Sequence, residues 1–277
     1  HLCKIYQLMK VFFFVLVCTF LVSCNNHNPD SDPEIVSNSK AGLAAPTLLS
    51  YAVISQYSHD TGAYTQGLQL YKGKMYESTG DYENSSIRIT DYKTGRVEQI
   101  HKMGTKDIFG EGITILHDKI YQLTWESNVV YVYNIKDITK PITQFKWASD
   151  GWGITNNGTD LIISDGVTSN IYFVDPETFR IKTQVGVVDN KGPVENINEL
   201  EFINGFIYAN IFTTNKIIKI DPESGHVVGY MNFDSLLPDN EKTTRTDYFN
   251  GIAYDSASKS IFITGKRWPK LYEIRLN

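Results

Sequence analysis

Past its first forty or so residues the chain alternates between short apolar runs and turn-forming clusters. Tyr51, Val53 and Ser55 alternate with Ala52, Ile54 and Gln56, so Leu48 to Tyr57 reads as a strand. Leu68-Gln69-Leu70-Tyr71, Met75 to Thr79, Ser86 to Asp91 and Val97 to His101 follow, separated by turns such as Lys72-Gly73-Lys74 and Lys93-Thr94-Gly95. Runs this short, rich in β-branched and aromatic residues, predict strands rather than helices. Four of them joined by tight turns make a β-meander.

The meander recurs. A second unit runs from Glu111 through Lys119–Trp125 and Val129–Asn134 to Phe145, and a third from Trp152 through Asp160–Ser164 and Asn170–Asp175. A fourth uses Gly205–Asn210 and Lys216–Asp221, and a fifth Ser260–Thr264 and Lys270–Ile274. Asp175-Pro176 and Asp221-Pro222 turn the third and fourth units at matching places. There, proline presets the turn dihedral and aspartate closes the turn with a side-chain bond. A small polar or glycine-bearing cassette opens each unit: Thr65-Gln66-Gly67-Leu68, Gly110-Glu111-Gly112-Ile113, Gly151-Trp152-Gly153-Ile154, Asn198-Glu199-Leu200-Glu201 and Asn250-Gly251-Ile252-Ala253. Successive cassettes stand about 41 to 52 residues apart, the period of a propeller blade. The fifth unit is one strand short, and the strand at Tyr51–Gln56 has no partner. The expected fold is therefore all-β, a five-bladed β-propeller closed by the N-terminal strand completing the last blade, which removes exposed edges. Pro238 to Tyr248 is the one long polar insertion and reads as a loop on one face. In such a ring the polar residues heading the five cassettes meet in one place.

The first residues read as a targeting segment. Met9 is the expected start, Lys10 supplies the positive charge, and Val11 to Phe20 is an apolar stretch short for a membrane span. Leu21-Val22-Ser23-Cys24 resembles a bacterial lipobox, with Cys24 the lipidated residue. Residues 1–24 are thus a signal segment, 25–46 a polar Asn/Ser/Pro-rich tether, and 47–277 the propeller. This predicts a lipid-anchored protein of the bacterial cell envelope, periplasmic or on the outer surface, whose body is a monomer.

Composition narrows the chemistry. A net charge of -5 with 21% charged residues argues against a nucleic-acid partner. The cysteines are Cys3, Cys18 and Cys24, so the body holds neither disulfide nor thiolate metal site. Its histidines are scattered, and no phosphate-binding glycine loop is present. Asp60, Asp81 and Asp165 leave room for a structural calcium, though their spacing matches no calcium loop.

The order of the motifs is what carries a resemblance. His59-Asp60, Tyr64-Thr65-Gln66-Gly67-Leu68, Phe109-Gly110-Glu111-Gly112-Ile113-Thr114, Gln122-Leu123-Thr124-Trp125 and Gly151-Trp152-Gly153-Ile154-Thr155 are followed by Asn198-Glu199-Leu200-Glu201, Asn250-Gly251-Ile252-Ala253 and Thr264-Gly265-Lys266. Over Tyr51 to Asn277 the chain resembles the plant-type glutaminyl-peptide cyclotransferases. The resemblance implies conversion of an N-terminal glutamine to pyroglutamate with release of ammonia, without a catalytic cofactor. It implies Glu111 as general acid/base, Gln66 and Asn198 as amide grips, and Trp125, Trp152, Phe109 and Tyr64 as aromatic walls. Lys266 stands at the rim as a carbonyl ligand. Phe212 stands where the plant enzymes carry tryptophan, and Tyr64 where many relatives carry phenylalanine. Read from the residues alone, a glutamate closing a tight turn between two glycines accounts for Glu111 as well, and a non-catalytic surface propeller binding peptides or glycans remains the alternative. Trp268 reads as packing.

Overall fold

The computed structural model describes residues 42–277, which form one compact unit. Cys24, the signal segment and most of the tether lie outside the described residues. The meanders fold as five four-stranded antiparallel blades, and in each the strand nearest the centre comes first in sequence, except as noted for the last. The first blade comprises Thr65–Tyr71, Lys74–Thr79, Ser86–Asp91 and Arg96–Lys102, and the second Phe109–Leu116, Lys119–Trp125, Val129–Asn134 and Thr143–Lys146. The third comprises Ile154–Asn156, Leu161–Ser164, Asn170–Val174 and Ile181–Gly186, and the fourth Ile197–Ile203, Phe206–Ile211, Lys216–Ile220 and Val227–Asn232. The fifth comprises Phe249–Asp255, Ser260–Gly265 and Lys270–Leu276, with Tyr51–Ser58 as its outermost strand. The N-terminal strand therefore closes the ring as the unpaired ends predicted.

One detail departs from the expected strand at Leu48 to Tyr57. Thr47–Leu48 forms its own short strand, parallel to the outer edge of the fourth blade, and the chain then crosses to the fifth. Two bonded segments in succession tie the last two blades together. A short hairpin, Val188–Asp189 with Gly192–Pro193, links the third and fourth blades. The Pro238–Tyr248 insertion carries a single 3-10 turn at Asp239–Glu241.

Each junction between neighbouring blades holds its own apolar cluster. Alternation along the strands puts isoleucine, valine and tyrosine on both faces of every blade, so each blade buries one face against each neighbour. The cluster between the fifth and first blades is the shortest, built on Leu68, Met75, Ala253, Phe262 and Leu271. At this closing seam the fold adds polar links. The His59 and Glu77 side chains pair in the interior, and Arg88 pairs with Asp60.

Candidate active site

Four of the inner strands are interrupted at the cassettes. The register shifts between Thr65 and Gly67, between Gly110 and Ile113, between Ile197 and Leu200, and between Phe249 and Ile252. The residues inside these bulges are Gln66, Glu111-Gly112, Asn198-Glu199 and Asn250-Gly251. A bulge frees a residue from the ladder and re-aims its side chain, which turns these groups toward the centre of the ring. The third blade reaches the same end differently. Its ladder begins only at Ile154, while Trp152 and Gly153 stay attached through Trp152 N–H to Ser164 O and Ser164 N–H to Gly153 O, each 3.0 Å.

Glycine following the head residue lets neighbouring strands crowd together. A Cβ on Gly112 would stand 2.7 Å from the Trp152 carbonyl oxygen, which accepts the Gly112 N–H at 2.9 Å. In the fourth blade Glu199 takes that place, and its side chain spans the centre. Oε1 accepts Leu68 N–H at 3.2 Å from the first blade and Oε2 accepts Ile252 N–H at 2.9 Å from the fifth. Glu201 repeats the clamp on Tyr254 N–H at 3.0 Å and Thr155 Oγ1–H at 3.3 Å. Burial raises the Glu201 carboxyl to about 8, and burial with the adjacent Glu201 raises Glu199 well above the ordinary range. Sequence reasoning assigned these two no role; their signal was two carboxylates alternating with apolar residues in a strand.

Above this clamp opens a cavity of about 320 Å³ lined by Tyr64, Gln66, Phe109, Glu111, Trp125, Trp152, Asn198, Phe212 and Lys266. All nine site residues expected from the sequence share this one cavity. Trp268 is buried beside it, packed on Phe249, with its indole N–H on the Asp247 carbonyl at 2.9 Å. Two aromatic walls face the lumen. Phe109 meets Trp125 edge-on at 5.5 Å, and Trp152 meets Phe212 edge-on at 5.4 Å. Gly166, with φ +68°, backs the Trp152 ring so closely that a Cβ there would fall 1.9 Å from it.

Glu111 is 5% exposed, and the Gln66 Nε2–H donates to its Oε1 at 2.8 Å. Burial pushes its carboxyl well above the usual carboxylate range, Lys266 pulls it back, and Asp150 adds to the rise. Lys266 is 3% exposed, its ammonium 4.8 Å from the Tyr64 ring centroid and 5.2 Å from that of Phe212. Burial lowers the Lys266 ammonium, while Glu111 and Asp247 act against that fall. The Asn198 carboxamide oxygen is buried without a hydrogen-bond partner, a group that solvation or a bound polar molecule must satisfy. Asp60, Asp81 and Asp165 do not gather. Asp60 holds Arg88, Asp81 caps its own turn at Glu83 and Asn84, and Asp165 receives Thr168 and Tyr172. Among the described residues no three His, Cys, Asp or Glu side chains group so as to hold a metal.

A buried carboxyl, a neighbouring buried cation, carboxamides and an aromatic lining at the centre of a five-bladed ring define a candidate enzyme site on a β-propeller. Comparison with known proteins gives the particular family. The family model for glutamine cyclotransferase matches residues 27–276. The chain is 39% identical over 229 residues to the glutaminyl-peptide cyclotransferase of Arabidopsis thaliana, covering 81% of this chain and 70% of that one. It superposes on the crystal structure of Myxococcus xanthus glutaminyl cyclase with a TM-score of 0.76 at 33% identity, covering 84% of this chain and 98% of that one. The chain belongs to the glutamine cyclotransferase family.

Proposed function

We propose that Glu111 is the general acid/base of glutaminyl-peptide cyclotransfer in this cavity. The activity itself follows from the family: the α-amine of an N-terminal glutamine attacks its own side-chain carboxamide, a C–N bond closes the five-membered ring, and the C–N bond to the departing ammonia breaks. The observation that carries the assignment is the location of Glu111, the carboxyl facing the cavity with both a hydrogen-bond donor and a buried cation beside it.

The α-amine, with an ordinary pKa of about 7.7 to 8.0, is largely protonated at neutral pH and must lose a proton to attack. Glu111 accepts a proton from the attacking nitrogen and returns it to the departing one. Its raised proton affinity suits both halves of the cycle, because the best catalytic pKa lies near the operating pH. As the amine adds, charge develops on the carboxamide oxygen, and the buried Lys266 supplies the countercharge. Asn198 and Gln66 take the substrate's amide hydrogen bonds. The Trp125 and Trp152 walls hold the side chain in the folded-back rotamer that brings amine and amide together, the orientation effect on which an intramolecular attack depends. Phe212 completes the wall with a single ring where the resemblance expects an indole.

The substrates are peptides or proteins beginning with glutamine. The lipobox reading makes this a membrane-tethered enzyme of the envelope, anchored through Cys24. Fatty-acid labelling of the full chain, lost on Cys24→Ala, supports that part; labelling that survives the substitution removes it. For the catalytic part, a Gln-initiated peptide is incubated with the chain from Gly42 onward, with EDTA present, and followed by mass spectrometry. Loss of ammonia above the spontaneous rate, abolished by Glu111→Gln, is expected. Undiminished turnover in that variant excludes Glu111 from the mechanism.

A further inference from the structure

The fifth cassette head, Asn250, does not line the cavity, yet it is joined to Glu111 through one intermediary. Asn250 is 1% exposed. Its Nδ2–H donates to the Thr65 carbonyl at 3.1 Å and to Gln66 Oε1 at 3.4 Å. Gln66 Nε2–H in turn donates to Glu111 Oε1 at 2.8 Å. The Asn250 amide cannot turn over, because the Thr65 carbonyl accepts hydrogen bonds and donates none. Its bulge is also pinned, since Gly251 N–H donates to Asn210 Oδ1 at 3.0 Å from the fourth blade.

With Asn250 locked, Gln66 has one compatible orientation. Turned over, its NH2 would face the NH2 of Asn250, and its oxygen would face the Glu111 carboxyl. The two orientations act oppositely on Glu111. An N–H donor stabilises the carboxylate, whereas a carbonyl acceptor stabilises the protonated acid. We propose that Asn250 is a positioning residue that holds the Gln66 carboxamide nitrogen-first against Glu111 and so keeps the Glu111 carboxylate accessible as a base. The inference rests on the acid/base reading of Glu111. Other groups acting on Glu111 are Lys266 from the fifth blade, Asp150 from the approach to the third, and the phenols of Tyr64 and Tyr82 from the first. None of them is hydrogen-bonded to Asn250, whose hydrogen-bonded route to Glu111 runs through Gln66.

The test is Asn250→Leu, similar in shape and without a donor, with Asn250→Ser as the smaller substitution if the leucine does not fold. Folding is checked by circular dichroism. Two readouts are compared with the unsubstituted chain: the pH dependence of kcat on a Gln-initiated peptide, and direct titration of Glu111 by carboxyl-labelled glutamate NMR, its resonance assigned with Glu111→Gln. The expected result is an acid limb displaced upward by about one to two pH units, the size of one hydrogen bond to a charged group, with the NMR midpoint moving alongside. A merely structural residue would lower stability and leave both midpoints in place, which overturns the proposal. A moved NMR midpoint with an unmoved acid limb upholds the positioning and instead defeats Glu111 as the kinetic base.

Discussion

His59 Nε2 stands 3.0 Å from Glu77 Oε1, while His59 Nδ1 stands 2.8 Å from the Trp268 carbonyl oxygen. Both ring nitrogens thus face acceptors, an arrangement that only the doubly protonated imidazolium satisfies. Burial alone would lower the His59 pKa, but Glu77 and the Trp268 carbonyl outweigh it and raise it. Burial would likewise raise Glu77, and His59 outweighs it and holds the carboxyl low. The same Glu77 oxygen accepts the Thr65 hydroxyl at 2.7 Å. The link joins the first and fifth blades where their apolar cluster is shortest, beside the turn that carries Lys266.

The pair sets a pH window for stability. The His59 contribution is fully present below an unfolded value near 6.5 and fades as pH rises through its raised folded value. The Glu77 contribution is present above its ordinary value near 4.5 and fades as pH falls through its lowered one. Thermal melts are expected to show His59→Ala destabilised by about 3 to 5 kcal/mol near pH 6, the cost of stranding a buried partner. The deficit narrows toward alkaline pH. A deficit independent of pH would mean that packing, not charge, is what His59 supplies.

Glu111→Gln is expected to stabilise the fold while abolishing turnover. With its folded pKa raised, Glu111 costs nothing at low pH, where both states are protonated, and progressively destabilises the fold as pH rises above about 4.5. A glutamine retains an acceptor for Gln66 Nε2–H and carries no charge to bury. Melts of the two proteins should coincide in acid and separate toward neutral pH, with the variant higher. A lower melting temperature at every pH would contradict this.

Lys266→Met keeps the apolar stem over Tyr64 and Phe212 and removes the charge. The expected loss in kcat is roughly 10²- to 10³-fold, as for removal of one group stabilising a developing oxyanion. Because Lys266 lowers the Glu111 pKa, the acid limb of any residual activity should move to higher pH. Wild-type kcat with a raised KM alone would assign Lys266 to ground-state binding.

Gly166→Ala tests the wall behind the substrate. The added methyl meets the Trp152 ring, and φ of +68° strains any residue with a Cβ. Displacing Trp152 is expected to lower kcat/KM by about tenfold or more through misorientation of the glutamine side chain, with Glu111 untouched. Steady-state kinetics with a folded variant checks this; unchanged kcat/KM would show that the ring position is immaterial.

Resemblance of the motifs to a known family named the nine residues that share the cavity; the sequence by its own pattern carried the repeat, the all-β class and the number of blades. Those features are local. Alternation, turn chemistry and the spacing of five cassettes are written along the chain, and propeller symmetry converts equivalent sequence positions into convergent spatial ones. The tertiary structure decided what depends on neighbours distant in sequence. Thr47–Leu48 pairs with the fourth blade rather than extending the fifth-blade strand, because the free edge it meets belongs to Val227–Asn232. Glu199 and Glu201 became interior clamps because the closed ring brings the backbone N–H groups of Leu68, Ile252 and Tyr254 to one axis. His59 gained its partner Glu77, and Asn250 its hold on Gln66, only across the seam where the first and fifth blades meet. Periodicity specifies a blade; the contacts between the first blade and the last exist only once the ring has closed.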